Sequence, residues 1–319
     1  MGQKIVILGT GGTIAGTAAS PMDHTCYTAG QLGVADLLAG LPAAGNGADT
    51  DRLIVEQLAQ IDSKDMGFEV WVKLAQRVAH HLSLSEVQAV VITHGTDTLE
   101  ETAYFLHALL MPSKPVVLTC AMRPATALAP DGPQNMMDAL AVAASPGAGG
   151  VSVVCAGAVF GAEDVQKTHP YRLNAFSAGD AGPIAYVEEG RLRQLRPWPH
   201  ASTGLLEGRA ALLGRLADTR WPRVEVVMSH AGADGWAVRA LVEAGVQGLV
   251  VSTTGNGMVH RDLEAALLVA MAQGVKVLRA TRCTEGRIFE GANDALPAAP
   301  GLNSAKARIA LMLAVMQSS

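Results

Sequence analysis

The chain has little aromatic content and little charge: 4% of its 319 residues are Phe, Trp or Tyr and 17% are Asp, Glu, Lys or Arg. Lys and Arg number 24 against 29 Asp and Glu, for a formal net charge of -5. With no basic stripe to follow phosphates and few rings to stack bases, nucleic acid is excluded as a partner. Cysteine is scarce too. Cys26, Cys120, Cys155 and Cys283 lie far apart with no C-x-x-C pair, which favours free, mostly buried thiols over disulfides or metal ligands. His80-His81, His94, His230 and His260 lack metal-ligand spacing and read as structural or exposed, so neither metal nor cofactor is expected. The N-terminus Met1-Gly2-Gln3-Lys4 runs straight into strand-like sequence, without the charged and apolar regions of a leader, and a cytoplasmic protein is expected.

One uncharged run, 139–162, is long enough to span a bilayer. Pro146, Gly147, Gly149 and Gly150 break it into a helix end, a turn and the strand Val151-Ser152-Val153-Val154, the look of a covered sheet and not of a membrane segment.

What the chain does have is 49% hydrophobic residues, enough for the cores of about two domains. Apolar strand-like runs recur at 5–8, 89–93, 116–119, 151–155, 224–228, 248–252 and 275–280, mostly separated by helical patterns. That order predicts an α/β fold: a larger N-terminal domain, 1–195, with a mostly parallel sheet flanked by helices, and a smaller Rossmann-like α/β domain, 223–319, after a linker at 196–222. Alternation lapses over 190–222, around Arg196-Pro197-Trp198-Pro199 and Trp221-Pro222. Thr98-Leu99-Glu100-Glu101 reads as a capping box, with Leu99, Ala103, Leu106 and Leu110 on one helix face, and Asn303-Ser304 opens a final helix carrying Ile309, Leu313 and Met316.

Two turns at strand ends carry the chemistry. Gly9-Thr10-Gly11-Gly12-Thr13-Ile14-Ala15-Gly16 follows Ile5-Val6-Ile7-Leu8, and Thr93-His94-Gly95-Thr96-Asp97-Thr98 follows the second strand. Glycine there lets backbone approach a ligand and leaves hydroxyl and N–H groups to face it. A dinucleotide fingerprint would need its third glycine at Ile14 and an acid near Leu32–Ala35; Gly16 comes late and Asp36 is only marginally placed. No G-x-S-x-G elbow is present. A hydroxyl nucleophile needs a proton acceptor and donors for the oxyanion. Thr13 and Thr96, with Asp97 and the Lys167 of Glu163-Asp164-Val165-Gln166-Lys167, could form a Thr-Lys-Asp relay sufficient for amide hydrolysis.

The chain resembles the bacterial-type L-asparaginase family over nearly its whole length. Thr10-Gly11-Gly12-Thr13-Ile14-Ala15-Gly16 is similar to that family's first signature, and Ile92-Thr93-His94-Gly95-Thr96-Asp97-Thr98 to its second. Tyr27-Thr28, Asp62-Ser63-Lys64-Asp65-Met66, Ala121-Met122-Arg123-Pro124, Asp131-Gly132-Pro133, Gly255-Asn256-Gly257 and Asn303-Ser304-Ala305-Lys306 also match. The resemblance implies L-asparagine as substrate, hydrolysed to L-aspartate and ammonia with some L-glutaminase activity. It implies Thr13 as the acylated nucleophile beside Gly12, Tyr27 on a mobile lid over 17–30, and Thr96, Asp97 and Lys167 as a second cluster. Ser63 and Asp97 would hold the substrate's α-carboxylate and α-amine. A homotetramer of close dimers would share its sites, Asn256 and an acid, Glu290 in preference to Glu285, reaching a neighbour. Lys64 stands where many relatives have glutamine, which alters the charge near the substrate carboxylate.

Each of these residues also has a plainer reading. The glycines could serve their turns alone, Thr96-Asp97-Thr98 could only cap a helix, Lys167 could be a solvated charge, and Tyr27 and Ser63 ordinary loop residues. A non-catalytic amino-acid or nucleotide-binding module and a glutaminase-like amidotransferase subunit therefore stand beside the hydrolase.

Overall fold

The computed structural model describes residues 3–41, 52–199, 208–292, 294–299 and 301–318. The chain divides into two compact units, Met1–Leu205 and Leu206–Ser319.

In the first unit the strands are β1 Lys4–Gly11, β2 Thr17–Ala18, β3 Tyr27–Thr28, β4 Leu53–Ile61, β5 Val87–Thr93, β6 Val116–Thr119, β7 Val151–Cys155, β8 Ala158–Gly161, β9 Gln166–Lys167, β10 Phe176–Ser177, β11 Ala185–Glu188 and β12 Arg191–Gln194. Helices α1 Val34–Ala39, α2 Phe68–Ser83, α3 Leu99–Leu110 and α4 Gly132–Ala144 lie between them. Eight strands form one sheet in the order β12-β11-β8-β7-β6-β5-β1-β4. Neighbours from β4 through β7 run parallel, and β8, β11 and β12 extend that sheet antiparallel. Apart from the edge strand β4, the parallel strands are near-continuous apolar runs because both their faces are covered. Ile5, Ile7, Ala89, Val91 and Val117 pack with Met136, Ala139 and Ala143 of α4. By the two-residue period of a strand, the equally buried Val6, Leu8, Val90 and Ile92 face the other way. There α2 lies against β5 and α3 against β7, joined by Trp71 stacked on Phe105 with ring centroids 4.8 Å apart.

The uncharged run resolves into the end of α4, a turn, and the hairpin of β7 with β8. Among the described residues no helix is long and apolar enough to cross a membrane.

The second unit contains α5 Arg209–Arg215, β13 Val224–Met228, α6 Trp236–Glu243, β14 Gly248–Thr253, α7 Arg261–Ala272, β15 Lys276–Thr281 and α8 Ser304–Gln317. Its sheet is parallel, β13-β14-β15. Val227, Val251 and Val277 form a core with Val238 of α6 and Leu263 and Leu267 of α7, while α8 packs against all three strands. Asn303 caps α8 by accepting the Lys306 N–H at 3.0 Å, and Ile309, Leu313 and Met316 are buried.

Three local expectations need correction. Residues 191–194 are not connector but the outer strand β12, whose Leu192 pairs with Val187; the arginines that hid it sit on a sheet edge, where charge blocks further pairing. Thr98 does not complete a capping box, because its hydroxyl donates instead to the Ser63 carbonyl at 2.8 Å. Of the four free thiols only Cys120 and Cys155 are buried; Cys26 and Cys283 are exposed.

Candidate active site

The site grows from β1 and β5, parallel neighbours in which Gly9 stands opposite Thr93. Both strands end in turns, and the two turns touch through glycine. Gly12, at φ 81°, lies so close to Gly95 that any Cβ would overlap the Gly95 backbone; a Cβ on Gly95 would in turn meet the Ser63 side chain. Glycine at 12 and 95 therefore brings together the turns bearing Thr13, Thr96 and Ser63. Thr10 ties the first turn to the second by donating its hydroxyl to the Thr93 carbonyl at 2.8 Å.

Thr13 opens a short 3₁₀ turn and is buried. Its hydroxyl oxygen lies 2.6 Å from the Tyr27 hydroxyl, its one side-chain partner among the described residues. Gly16 makes room for that tyrosine, since a Cβ there would press on the ring.

Thr96 and Asp97 precede α3, and Lys167 comes from β9. The Lys167 ammonium donates to the Thr96 hydroxyl at 2.8 Å and to Asp97 Oδ1 at 2.6 Å. The lysine is no solvated surface charge: its side chain is 19% exposed against 52% for Asp97. Asp97 thus has one carboxylate oxygen committed to the lysine while the group remains open on another side. Ser63 is buried on a short 3₁₀ turn of its own and accepts the Asp97 N–H at 3.1 Å. Beside it Lys64 pairs with Asp62 at 2.7 Å. Burial opposes ionisation of Asp62, yet bonds from the Lys64 ammonium and N–H hold its carboxyl below the ordinary value, and Asp62 in turn raises Lys64.

One support escaped the reading of the sequence, and one histidine read there as structural or exposed is structural. Glu100, a buried acid in the first turn of α3, accepts the Lys167 backbone N–H at 2.5 Å; its place in a helical start looked like capping. His94 is fully buried. One ring nitrogen is 2.7 Å from the Gly95 carbonyl and the other 2.9 Å from the Thr102 hydroxyl, which also receives the Trp71 indole N–H at 2.9 Å. Burial pushes this imidazole down to about 4, so it stays neutral: Nδ1–H donates to the carbonyl and Nε2 accepts from Thr102. The chain Trp71, Thr102, His94 braces the Gly95 turn from behind.

Asn256 and Glu290 belong to the second unit and are exposed. Asn256 follows β14; its Oδ1 accepts the Phe289 N–H at 2.7 Å and its Nδ2 donates to the Phe289 carbonyl at 2.8 Å. Glu290 accepts the Ala298 N–H at 2.6 Å. Glu285 is exposed as well. Among the described residues no group of three or more His, Cys, Asp or Glu is placed to hold a metal ion.

Two family models match: the asparaginase N-terminal domain over residues 4–199 and the glutaminase/asparaginase C-terminal domain over 223–319. The chain is 35% identical to L-asparaginase 2 of Escherichia coli K12 over 322 aligned positions, covering 99% of this chain and 89% of that protein. It is 35% identical to the glutaminase-asparaginase of Pseudomonas fluorescens biotype A, covering 99% and 87%. The crystal structure of a probable cytoplasmic L-asparaginase from Campylobacter jejuni superposes with a TM-score of 0.88 at 35% identity, covering 99% of this chain and 95% of that one. With both halves of the chain matched and its paired threonine turns in contact, the protein belongs to the asparaginase family and is an enzyme of the asparaginase type.

Proposed function

We propose that the enzyme hydrolyses L-asparagine to L-aspartate and ammonia, with Thr13 as nucleophile and no cofactor. One observation carries the reading: the Lys167 ammonium joins the Thr96 hydroxyl to the Asp97 carboxylate in a turn packed against that of Thr13. The site thus has two hydroxyls, each with its own proton-handling partner. In acylation Thr13 Oγ adds to the side-chain amide carbon, the C–N bond breaks, and nitrogen leaves as ammonia with the proton of the hydroxyl. Tyr27, 2.6 Å from Thr13, receives that proton in transit. The Thr96–Lys167–Asp97 relay then activates water, whose OH completes the aspartate carboxyl and whose proton restores Thr13. The oxyanion falls to backbone N–H groups of the two turns.

Ser63 and Asp97 fit the amino-acid end of the substrate. Asp97 Oδ2 is left for an ammonium while Oδ1 stays with Lys167, and the Ser63 hydroxyl and nearby Lys64 charge suit a carboxylate. Some glutamine turnover is included, because relatives at 35% identity are named glutaminase-asparaginase. We place the enzyme in the cytoplasm, the setting named for the Campylobacter jejuni protein and one that suits free thiols. The assembly is a homotetramer of close dimers in which Asn256 and Glu290 of one chain complete a neighbour's site. The purified protein alone, without metal or nucleotide, releases ammonia from L-asparagine; if it releases none, a binding module is the better reading.

A further inference from the structure

We infer that Arg279 is a positioning residue, which makes the Asn256 loop and the Glu290 loop one preformed ledge. This rests on the proposal that these two residues complete a neighbouring subunit's site. Arg279 lies in β15 with its side chain 8% exposed, between the Asp294 carboxylate and the Gly257 carbonyl. Its Nη2 donates to Asp294 Oδ2 at 2.6 Å, and its Nη1 to the Gly257 carbonyl at 3.2 Å. Gly257 follows Asn256 directly and has φ 76°; a Cβ there would stand 3.1 Å from the Ile288 side chain and 3.2 Å from Nη1, so the glycine admits both the isoleucine and the guanidinium. On the other side Asp294 also accepts the Gly291 N–H at 2.9 Å, next to Glu290. The Gly291 N–H and the Arg279 guanidinium together hold its carboxyl below the usual range.

The backbone of Arg279 clamps the same loop, donating to the Pro297 carbonyl and accepting from Ala299, each at 2.7 Å. Glu290 closes that loop on itself through Ala298. The Asn256 amide is spent two ways on Phe289, and an amide has four hydrogen-bonding positions, so a lone pair and one N–H remain to face a ligand. Among the described residues the two loops also meet where Ile288 packs on Gly257, and one guanidinium ties Gly257 to Asp294. A planar fork with separate donors can hold a carboxylate and a carbonyl at once; an ammonium on a flexible stem cannot fix both directions.

The test compares Arg279→Gln, Arg279→Lys, Asp294→Asn and Asn256→Ala in the assembled enzyme, measuring KM and kcat for asparagine with near-ultraviolet circular dichroism as the check on fold. Because the ledge binds and does no bond-making, Arg279→Gln raises KM by about tenfold, the worth of a charge-assisted hydrogen bond, with kcat changed less than about threefold. Arg279→Lys recovers part of this. Should Arg279→Gln fail to fold, Asp294→Asn breaks the same pair from its more exposed side and raises KM likewise. Arg279→Gln combined with Asn256→Ala raises KM by clearly less than the product of the two single effects, since the arginine acts in part through the asparagine. If Asn256→Ala raises KM while neither Arg279→Gln nor Asp294→Asn does, or if the effects simply add, the positioning role is wrong and the shared site stands. If Asn256→Ala leaves KM unchanged, the shared site itself is wrong and the role inferred for Arg279 falls with it.

Discussion

The threonine turns of the first unit and the Asn256 ledge of the second both follow the ends of parallel strands, yet they are held in different ways. The turns are buried and held by close contact, Gly12 on the Gly95 backbone and Gly95 on the Ser63 side chain, which leaves the Thr13 and Thr96 hydroxyls for Tyr27 and Lys167. The ledge is exposed, with Phe289 80% and Met258 69% accessible, and its polar side chains are turned onto their own backbone. Close glycine contacts therefore add to hydrogen bonds in the first region, whereas an exposed set of hydrogen bonds carries most of the second. Substitutions should divide accordingly, those in the turns striking turnover and those in the ledge striking binding.

The largest effect that could break this division is Thr13→Ala. It removes one hydroxyl and no core contact, so kcat falls by more than about a hundredfold, beyond the lower range for an auxiliary acid or base. The thermal midpoint moves little, and Thr13→Ser keeps some activity. A variant retaining over about a hundredth of kcat would take Thr13 out of the nucleophile's role by the same scale. Next in size is Lys167→Met, which deletes the relay at constant length and lowers kcat/KM by about a hundredfold or more, with a changed pH profile. An unaltered kcat/KM would leave the relay structural.

Gly95→Ala tests the steric half directly. The new methyl meets Ser63 and the Gly12 backbone, so urea denaturation should show a loss of about 1–3 kcal/mol, as for other overpacking, together with a raised KM. Wild-type stability would mean that the turns are looser than their contacts imply.

The turns stood out because glycine at a strand end lets backbone approach a ligand, but the resemblance, and not the residues alone, set their threonines apart from turn glycines and helix caps. The buried runs of β5, β6 and β7 were legible because nearly every residue in them points into a core. Strand β4 was not, because Glu56, Gln57 and Gln60 interrupt its apolar pattern on a half-exposed edge. Glu56 is itself bound there to Arg77 and His81. Nor could spacing show that Thr98 would serve Ser63 in place of its own helix, since that partner lies far away in sequence. Arg279 was invisible for the same reason. An arginine in a strand reads as an edge residue until Gly257 and Asp294 are seen beside it.

The smallest effect concerns the brace behind Gly95. His94 has a folded pKa of about 4 against about 6.5 for a free imidazole, so the unfolded chain binds the extra proton between those values. Its stabilising contribution is complete above about pH 6.5 and is lost as pH falls toward 4, amounting to about 1–2 kcal/mol between pH 7 and 5. Chemical denaturation across that range should show a slope that His94→Gln reduces; an identical slope in the variant would mean that the imidazole is not held neutral.

The most direct test of the account is whether Thr13 is acylated. Enzyme mixed with L-asparagine, quenched in acid within a turnover and digested should yield the peptide containing Thr13 carrying one aspartyl group, lost on longer incubation without quench and absent from Thr13→Ala. An aspartyl group on Thr96, with Thr13 unmodified while ammonia is released, would contradict it.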